Sequence, residues 1–169
     1  MNDLPYELPD LDLSAPLSRF RETVKSEWID WNGHMNVGYY VILFDRASSV
    51  LFDQFGCGPD YGLHKVGLAF VLEAHLTYER EVRAGATIAI TSQILAYDAK
   101  RLHYFHTMYD SHDNSRVATN ELVAINISYH SRRSAPWPDF AIDRIERLYS
   151  AHGALPRPSQ VGRAVGLRR

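Results

Sequence analysis

The chain has 169 residues, of which 46% are hydrophobic and 22% are charged, as in an ordinary globular domain. This length predicts one domain with its own core. A net charge of −2 excludes a general attraction to nucleic acid or anionic lipid, and the single cysteine, Cys57, excludes an intrachain disulfide and a cysteine metal cluster.

The first half of the chain predicts a loose arm over residues 1–18, a strand over 20–28 and a long helix over 37–55. Apolar residues recur at helical spacing throughout the helix. A cluster of glycine and proline directly after it ends the element. The helix carries enough large apolar side chains to lie in the core.

From residue 68 onward the hydrophobic period changes to two, which predicts strands. Four are expected, over residues 68–78, 86–96, 102–108 and 117–129. Their short polar connections predict antiparallel neighbours. A second amphipathic helix is predicted over 139–150 with Asp139 as its cap, and the end of the chain from Gly153 is expected to be loose.

This order of elements predicts an α+β protein with one antiparallel sheet. The long helix is apolar enough to cover one face of that sheet. A sheet wrapped around one central helix is the hotdog arrangement. We therefore expect an arm over 1–18, a single hotdog domain over 19–150 and a tail over 151–169.

No apolar run approaches the roughly 20 residues that span a bilayer. The acidic start of the chain, which contains proline, lacks the features of a signal peptide. Together with the lone cysteine, these features predict a cytoplasmic protein that does not associate with membranes.

The stretch WIDWNGHMNVGYY, residues 28–40, places four hydrogen-bonding side chains at alternate positions just before the long helix. They are Asp30, Asn32, His34 and Asn36. One polar residue is enough to cap a helix. The surplus indicates a functional site at the start of the helix.

The longer segment VKSEWIDWNGHMNVGYYVILFDRA resembles the entry motif of hotdog thioesterases of the 4-hydroxybenzoyl-CoA thioesterase type. The family pattern is a strand, then Asp-x-x-Gly-His-x-Asn, then a helix that contains tyrosine. The residues that match in register are Asp30, Gly33, His34, Asn36 and Tyr40. The segment AFVLEAHLTYEREVRAGATIAITSQI resembles the family's second and third strands, and the likeness covers about residues 20–140. It implies hydrolysis of an acyl-CoA thioester without a metal or cofactor.

Such a reaction needs a carboxylate that attacks the carbonyl or activates water, and Asp30 matches the family's catalytic aspartate. It also needs donors for the carbonyl oxygen, which the free amides at the helix start provide near Val37 and Gly38. Asp30 has an alternative role in an Asx turn before glycine. Asn36 has an alternative role as the helix cap alone.

Three further residues are candidate helpers. The run DWNGHMN also resembles plant acyl-carrier-protein thioesterases, which implies catalytic roles for Asn32 and His34, although either residue can instead shape the loop. Glu73 lies on a predicted strand among apolar positions. A buried carboxylate there would suit acid–base chemistry, and the alternative is a partner for a nearby basic residue.

Aromatic residues cluster around the motif, and Trp31 departs from the small residues that the family places after the aspartate. The cluster consists of Trp28, Trp31, Tyr39 and Tyr40. Aromatic walls can hold a quaternary ammonium, and the stretch also resembles thioesterases of carnitine breakdown, which implies betainyl-CoA as substrate. The alternative role for these side chains is core and dimer packing.

The phosphates of CoA call for basic side chains at the entrance. The candidates at strand ends are Lys100, Arg101, Arg132 and Arg133. An unpaired sheet edge invites pairing with a second copy, and the resemblance implies a homodimer or homotetramer with active sites at the subunit boundary. We expect no nucleic-acid partner.

Two other functions remain open. Hotdog hydratases and dehydratases place histidine five residues after aspartate with a proline between them, whereas His34 follows Asp30 by four and the proline is absent. A non-catalytic acyl-CoA binder with the same fold is the other alternative, and the intact Asp30 argues against it.

Overall fold

The computed structural model describes residues 4–167, so positions 1–3 of the predicted arm and 168–169 of the predicted tail lie outside it. The strands in this range are β1 (Leu17–Thr23), β2 (Gly67–Tyr78), β3 (Thr87–Tyr97), β4 (Arg101–Asp110) and β5 (Arg116–Ser128). The α-helices are α1 (Val37–Gln54), α2 (Pro59–Leu63) and α3 (Asp139–His152). Within residues 4–167, no helix combines the length and the apolarity that crossing a membrane requires.

The five strands form one antiparallel sheet in the order β1-β3-β4-β5-β2, and one face of it covers α1. Residues from both elements are fully buried at this contact, among them Leu43, Phe44, Ile88, Tyr104 and Met108. The period of two holds in β3 and β4, where alternate residues such as Ile88, Ile90, Tyr104 and Met108 are buried, because successive strand residues point to opposite faces. It fails in β2, where Phe70, Leu72 and Tyr78 are exposed, and in β5, where Ala118, Leu122 and Ala124 are buried more deeply than Val123 and Ile125. The expected α+β hotdog fold is confirmed.

The expectation that successive strands lie side by side is wrong for β2. This strand pairs with β5 along its length, with Gly67 opposite Ser128 and Tyr78 opposite Ala118. The connection over residues 79–86 crosses to β3, the neighbour of the far edge strand β1, instead of forming a hairpin. Periodicity indicates which residues share a face of a strand, but it does not identify the neighbouring strand.

Other boundaries differ from the predictions at loops and caps. The first strand ends at Thr23, and Ser26–Trp28 forms a 3-10 turn that buries Trp28. Helix α3 begins at Asp139, but Pro138 occupies the cap position, so Asp139 is the first helical residue. The short helix α2 falls where only a helix stop was predicted.

The two ends of the chain were expected to be loose, and over most of the described residues this is wrong, although Val165 and Leu167 at the end of the tail are exposed. In the arm, the Tyr6 hydroxyl donates to the carbonyl of Gly56 (2.7 Å), and the Asp12 amide donates to Gln54 Oε1 (3.0 Å). In the tail, Gln160 is only 3% exposed. Both ends therefore pack against the domain.

A polar network lies inside the core, where α1 meets the sheet. His106 Nε2 lies 2.9 Å from Ser48 Oγ, and its Nδ1 lies 2.9 Å from Ser92 Oγ. Ser48 also donates to the carbonyl of Phe44 (3.0 Å) and accepts from the Tyr104 hydroxyl (3.2 Å). Both ring nitrogens of His106 therefore have hydroxyl partners inside the core.

Candidate active site

The loop before α1 is held in one shape by its own backbone. The Asp30 amide donates to the carbonyl of His34 (3.1 Å), and the Gly33 amide donates to the carbonyl of Asp30 (3.0 Å). Gly33 has φ +82°, a left-handed conformation that glycine adopts without strain. The Met35 amide donates to the carbonyl of Val82 (2.7 Å), which ties the loop to the segment that follows β2.

The Asp30 carboxylate accepts hydrogen bonds from two neighbours on this loop. Its Oδ1 accepts from the Asn32 amide (2.8 Å), which is the Asx-turn contact considered as an alternative. Its Oδ2 accepts from Asn36 Nδ2 (3.4 Å). Asn36 Oδ1 at the same time accepts from the Gly38 amide (2.9 Å), so Asn36 both caps α1 and contacts the carboxylate.

The side chains of this loop face a pocket of about 540 Å³. One wall is the loop itself, and the other, which we call the β2 wall, is the segment over residues 78–81 where β2 ends. The lining residues are Asp30, Trp31, Asn32, His34, Met35, Asn36, Val37, Tyr40, Tyr78, Glu79, Arg80 and Glu81. Tyr40 and Tyr78 meet edge to face with ring centroids 5.3 Å apart, and the Tyr40 hydroxyl donates to the carbonyl of Arg80 (3.3 Å).

Three carboxylates line the pocket, and two of them are neutralised by arginines. Glu79 pairs with Arg116 (2.7 Å), and Glu81 pairs with Arg83 (2.9 Å). Asp30 has no ion pair among residues 4–167. Among these three carboxylates it alone has an unpaired negative charge within the described chain.

The N-terminus of α1 opens into the same pocket through Val37. Within the described chain the Val37 amide has no hydrogen-bond acceptor, and the 18-residue helix behind it adds its positive dipole end. The Gly38 amide, the other expected donor, is already bound by Asn36. A Cβ at position 38 would lie 3.3 Å from Asn36 Oδ1, so glycine here accommodates the cap.

The remaining motif residues lie around Asp30 as expected from their spacing. His34 lines the pocket with its Nδ1 3.5 Å from the carbonyl of Met35, and Asn32 lies beside it. Trp31 stands at the rim and is 91% exposed. A fully exposed tryptophan at a pocket rim offers its whole face to a ligand.

Two of the four predicted aromatic wall residues do not reach this pocket. Trp28 is buried and stacks on Tyr39 with ring centroids 5.2 Å apart. Arg46 lies 6.0 Å from the Trp28 ring and pairs with Glu22 on β1. These aromatics therefore pack on the β1 side of α1, whereas the pocket lies on the β2 side.

Glu73 also departs from expectation. The acid–base role considered for it required a buried carboxylate, whereas Glu73 is exposed in the middle of β2, away from the residues that line the pocket. The β-bulge between Val71 and Glu73 interrupts the alternation on which the expectation was based. Within one copy of the chain, Glu73 does not meet Asp30.

The four basic candidates for CoA phosphates lie at the other end of the sheet. Arg132 and Arg133 follow β5 beside Gly67, at the start of β2, while the pocket adjoins Tyr78 at its end. At the usual rise of a strand these ends are roughly 35 Å apart. Lys100 and Arg101 lie in the β3–β4 turn at that same far end, with the Arg101 guanidinium bound to Asp98 (2.7 Å).

The β2 wall was missed by sequence reasoning. Tyr78 ends the predicted strand and Glu79 and Glu81 follow it, and nothing in their spacing marks them as functional. The available signal is the density of charge in TYEREVR, residues 77–83, at the end of an otherwise apolar strand. Its relevance depends on which loop the strand end meets, and only the topology reveals that.

Comparison with known proteins identifies thioesterases as relatives of this chain. The model of the thioesterase-like superfamily matches residues 24–145. A betainyl-CoA thioesterase of Pseudomonas aeruginosa is 34% identical over 92% of this chain and 98% of its own length. An L-carnitine dehydrogenase/betainyl-CoA thioesterase of Ruegeria pomeroyi is 32% identical, and the match covers 95% of this chain but 33% of that protein. A Staphylococcus aureus protein solved in complex with CoA superimposes with a TM-score of 0.82 at 30% identity, over 92% of this chain and 99% of that one.

Proposed function

Since the chain belongs to the thioesterase-like superfamily and is a thioester hydrolase acting on acyl-CoA, we propose that its substrate is betainyl-CoA and that Asp30 drives the hydrolysis. The proposed role of Asp30 is supported by its position in a polar pocket beside a helix N-terminus, where no cation of the described chain forms an ion pair with it. The products are the free acid and CoA.

The reaction has two balanced forms that the same geometry supports. As general base, Asp30 takes a proton from water, the hydroxide oxygen bonds to the carbonyl carbon, and the C–S bond breaks to release the thiolate. As nucleophile, a carboxylate oxygen bonds to the carbonyl carbon, the thiolate leaves, and water then hydrolyses the anhydride. In both forms the thiolate takes up a proton, and the carbonyl oxygen gains negative charge next to the Val37 amide.

The pocket suits an acyl group that carries a quaternary ammonium. Trp31 and Tyr78 present aromatic surface, with Tyr40 packed behind Tyr78, and such surface attracts a cation without requiring a hydrogen bond. The Asp30 carboxylate adds a negative charge close by. Two relatives named for betainyl-CoA, one matched over nearly its whole length, support the same substrate.

The test is thiol release from a panel of acyl-CoAs that includes betainyl, aromatic and medium-chain members. The decisive comparison is between betainyl-CoA and 3,3-dimethylbutyryl-CoA, in which carbon replaces the charged nitrogen at equal size. We expect a clear preference in kcat/KM for betainyl-CoA. Equal values of kcat/KM for the two would refute betainyl-CoA as the preferred substrate. If neither compound releases thiol, the enzyme does not hydrolyse acyl groups of this size and shape.

Replacing Trp31 by alanine tests the aromatic rim. We expect the preference for betainyl-CoA over 3,3-dimethylbutyryl-CoA to fall about two- to fivefold, because an exposed cation–π contact contributes on the order of 1 kcal/mol. Because Trp31 is exposed, the fold should not suffer, which a thermal melt checks. Trp28→Phe, at the buried aromatic that lies outside the pocket, should leave the preference unchanged. An undiminished preference in Trp31→Ala would contradict a role of the Trp31 ring in binding the cationic acyl group.

The proposal includes a homodimer built on the free edge of β2. This strand is at the edge of the sheet and exposes three apolar side chains in a row, Phe70, Val71 and Leu72. Val37 and Val41 of α1 are also exposed, and a groove between α1 and β2 lies beside Val71. An unpaired apolar edge next to an apolar helix face is complementary to a second copy of itself.

Such a dimer also accounts for the distant basic residues. If two β2 strands pair antiparallel around a two-fold axis near their middle, the start of one strand lies beside the end of the other. The partner subunit's Arg132 and the partner subunit's Arg133 then approach this subunit's pocket. The phosphates of CoA would lie across the boundary, with the thioester at Asp30.

Leu72→Glu tests the dimer and the shared site together. Leu72 is 58% exposed in the single chain, and a carboxylate there would be desolvated against the partner strand. We expect a folded monomer by analytical ultracentrifugation. We also expect kcat/KM to fall at least about tenfold, because the monomer loses the hydrogen-bonded contacts between the CoA phosphates and the partner's arginines. Leu167→Glu, at an exposed position in the tail, is the control. A dimeric and fully active Leu72→Glu would exclude this interface.

A further inference from the structure

The last described part of the chain includes residues 155–163, which we call the strap and which cross the face of the sheet that points away from α1. The strap encloses a cavity of about 370 Å³ against side chains of β3 and β4 that alternate with core positions. Those facing it include Thr91, Gln93 and Phe105. The strap therefore lies on the opposite side of the sheet from the central helix.

Gln160 anchors the strap at one specific carboxylate. Its side chain is almost wholly buried, and its Nε2 donates to Glu79 Oε1 (3.1 Å). Ser159 Oγ donates to Gln160 Oε1 (3.1 Å), which leaves the amide nitrogen facing Glu79. A second anchor is the Gly162 amide, which donates to Glu121 Oε2 (2.7 Å).

Glu79 belongs to the β2 wall, so this contact joins the strap to one wall of the active-site pocket. Its other oxygen, Oε2, accepts from Arg116 Nε (2.7 Å). The amides of Glu79 and Arg80 both donate to the carbonyl of Val117 (2.8 and 3.1 Å), where regular pairing of β2 ends. The neighbours of Glu79 in the chain face the pocket, Tyr78 through its ring and Arg80 through the carbonyl that binds Tyr40.

We propose that Gln160 is a positioning residue: through Glu79, the strap holds the β2 wall at the distance from the Asp30 loop that the acyl group requires. The inference rests on the proposed function for its kinetic consequence, although the mechanical link does not depend on the substrate. Gln160 touches no reacting atom. Its loss should weaken substrate binding much more than it slows the chemical step.

The test is a donor–acceptor exchange between the two side chains. Gln160→Glu keeps the size of the side chain but sets one carboxylate against another. We expect KM for the best acyl-CoA to rise about tenfold with kcat changed less than about twofold, the pattern of lost uniform binding. Arg157→Ala, an exposed change within the same strap, is the control.

The double variant E79Q/Q160E reverses the two partners and restores the bond. The amide nitrogen introduced at position 79 donates to the carboxylate introduced at position 160, while the amide oxygen at position 79 still accepts from Arg116. We expect KM to return to within about twofold of the original value, because the two changes compensate each other.

Hydrogen exchange supplies a second readout that does not require activity. The amides of residues 76–82 should exchange faster in Gln160→Glu than in the original protein, in Arg157→Ala or in the double variant. Unchanged exchange and unchanged KM in Gln160→Glu would overturn the proposal, as would a double variant that folds but stays as impaired as the single one. If the original protein hydrolyses no acyl-CoA, the proposed function fails, and the exchange pattern alone then decides whether the strap holds the wall.

Discussion

Asp30→Asn should reduce thiol release from the preferred acyl-CoA by about 10²- to 10⁴-fold in kcat, the usual contribution of a general base or more. The asparagine side chain has nearly the same shape and still presents an oxygen to the Asn32 amide, so the loop geometry should survive. What is lost is the one carboxylate of the pocket that has no ion pair within the described chain. KM should change little, because the carboxylate acts on the transition state.

Two measurements make this prediction specific. Asp143→Asn, at an exposed position on α3, should retain full activity, and thermal melts should show that both variants are folded. If Asp30→Asn retains more than about a tenth of the original kcat, Asp30 is neither base nor nucleophile. A single turnover in ¹⁸O-labelled water then identifies direct attack in which water opens the anhydride at the Asp30 carbonyl carbon, because an unlabelled Asp30 oxygen then enters the first product.

The second large effect concerns stability in acid and originates at His106. Burial lowers the pKa of this histidine to about 3, against an ordinary value of 6.5. Below pH 6.5 the unfolded chain binds a proton at this residue and the folded chain does not. The free energy of unfolding therefore falls as the pH drops from about 6.5 toward 3, by roughly 1 kcal/mol per pH unit. Burial also lowers the pKa of His152, which adds in the same direction.

Denaturant unfolding at pH 7, 6.5, 5.5 and 5 measures this loss above the ordinary pKa values of aspartate and glutamate. His106→Gln should be less stable at pH 7 by about 1–3 kcal/mol, because it replaces a fully bonded ring. Its stability should depend less on pH over the same range. His112→Gln, at an exposed position, should follow the original curve. An equally steep loss in His106→Gln would assign the acid sensitivity to other groups.

The features that could be predicted from the sequence are those that depend on neighbours in the chain. The helical period after residue 37 and the period of two after residue 68 located α1 and four strands within a few residues. The motif from Asp30 to Asn36 located the loop, because Gly33, the Asn36 cap and the Asx turn are local interactions. These elements alone were enough to place Asp30 beside a helix N-terminus.

The missing part of the site depends on contacts between distant segments. The β2 wall faces Asp30 only because β2 lies at the sheet edge and its end meets the loop through Met35 and Val82. Trp28 illustrates the opposite error, since proximity in sequence to Trp31 suggested one aromatic wall and a 3-10 turn directs the two rings to different sides. The packing of the tail is likewise decided by Gln160 and Glu79, which no local pattern connects.

The position of β2 also determines when the proposed dimer can form. Strands β3, β4 and β5 follow one another through short turns, so their pairings close small loops and form early. Strand β2 is made before all three, yet its partner β5 is made after them, and until then β2 has no strand to pair with. Strand β2 therefore becomes the edge strand of the sheet only after β3, β4 and β5 have formed. A ribosome-bound chain that lacks β5 therefore has no finished edge to offer a second copy, and the proposed dimer can form only after the monomer fold is complete.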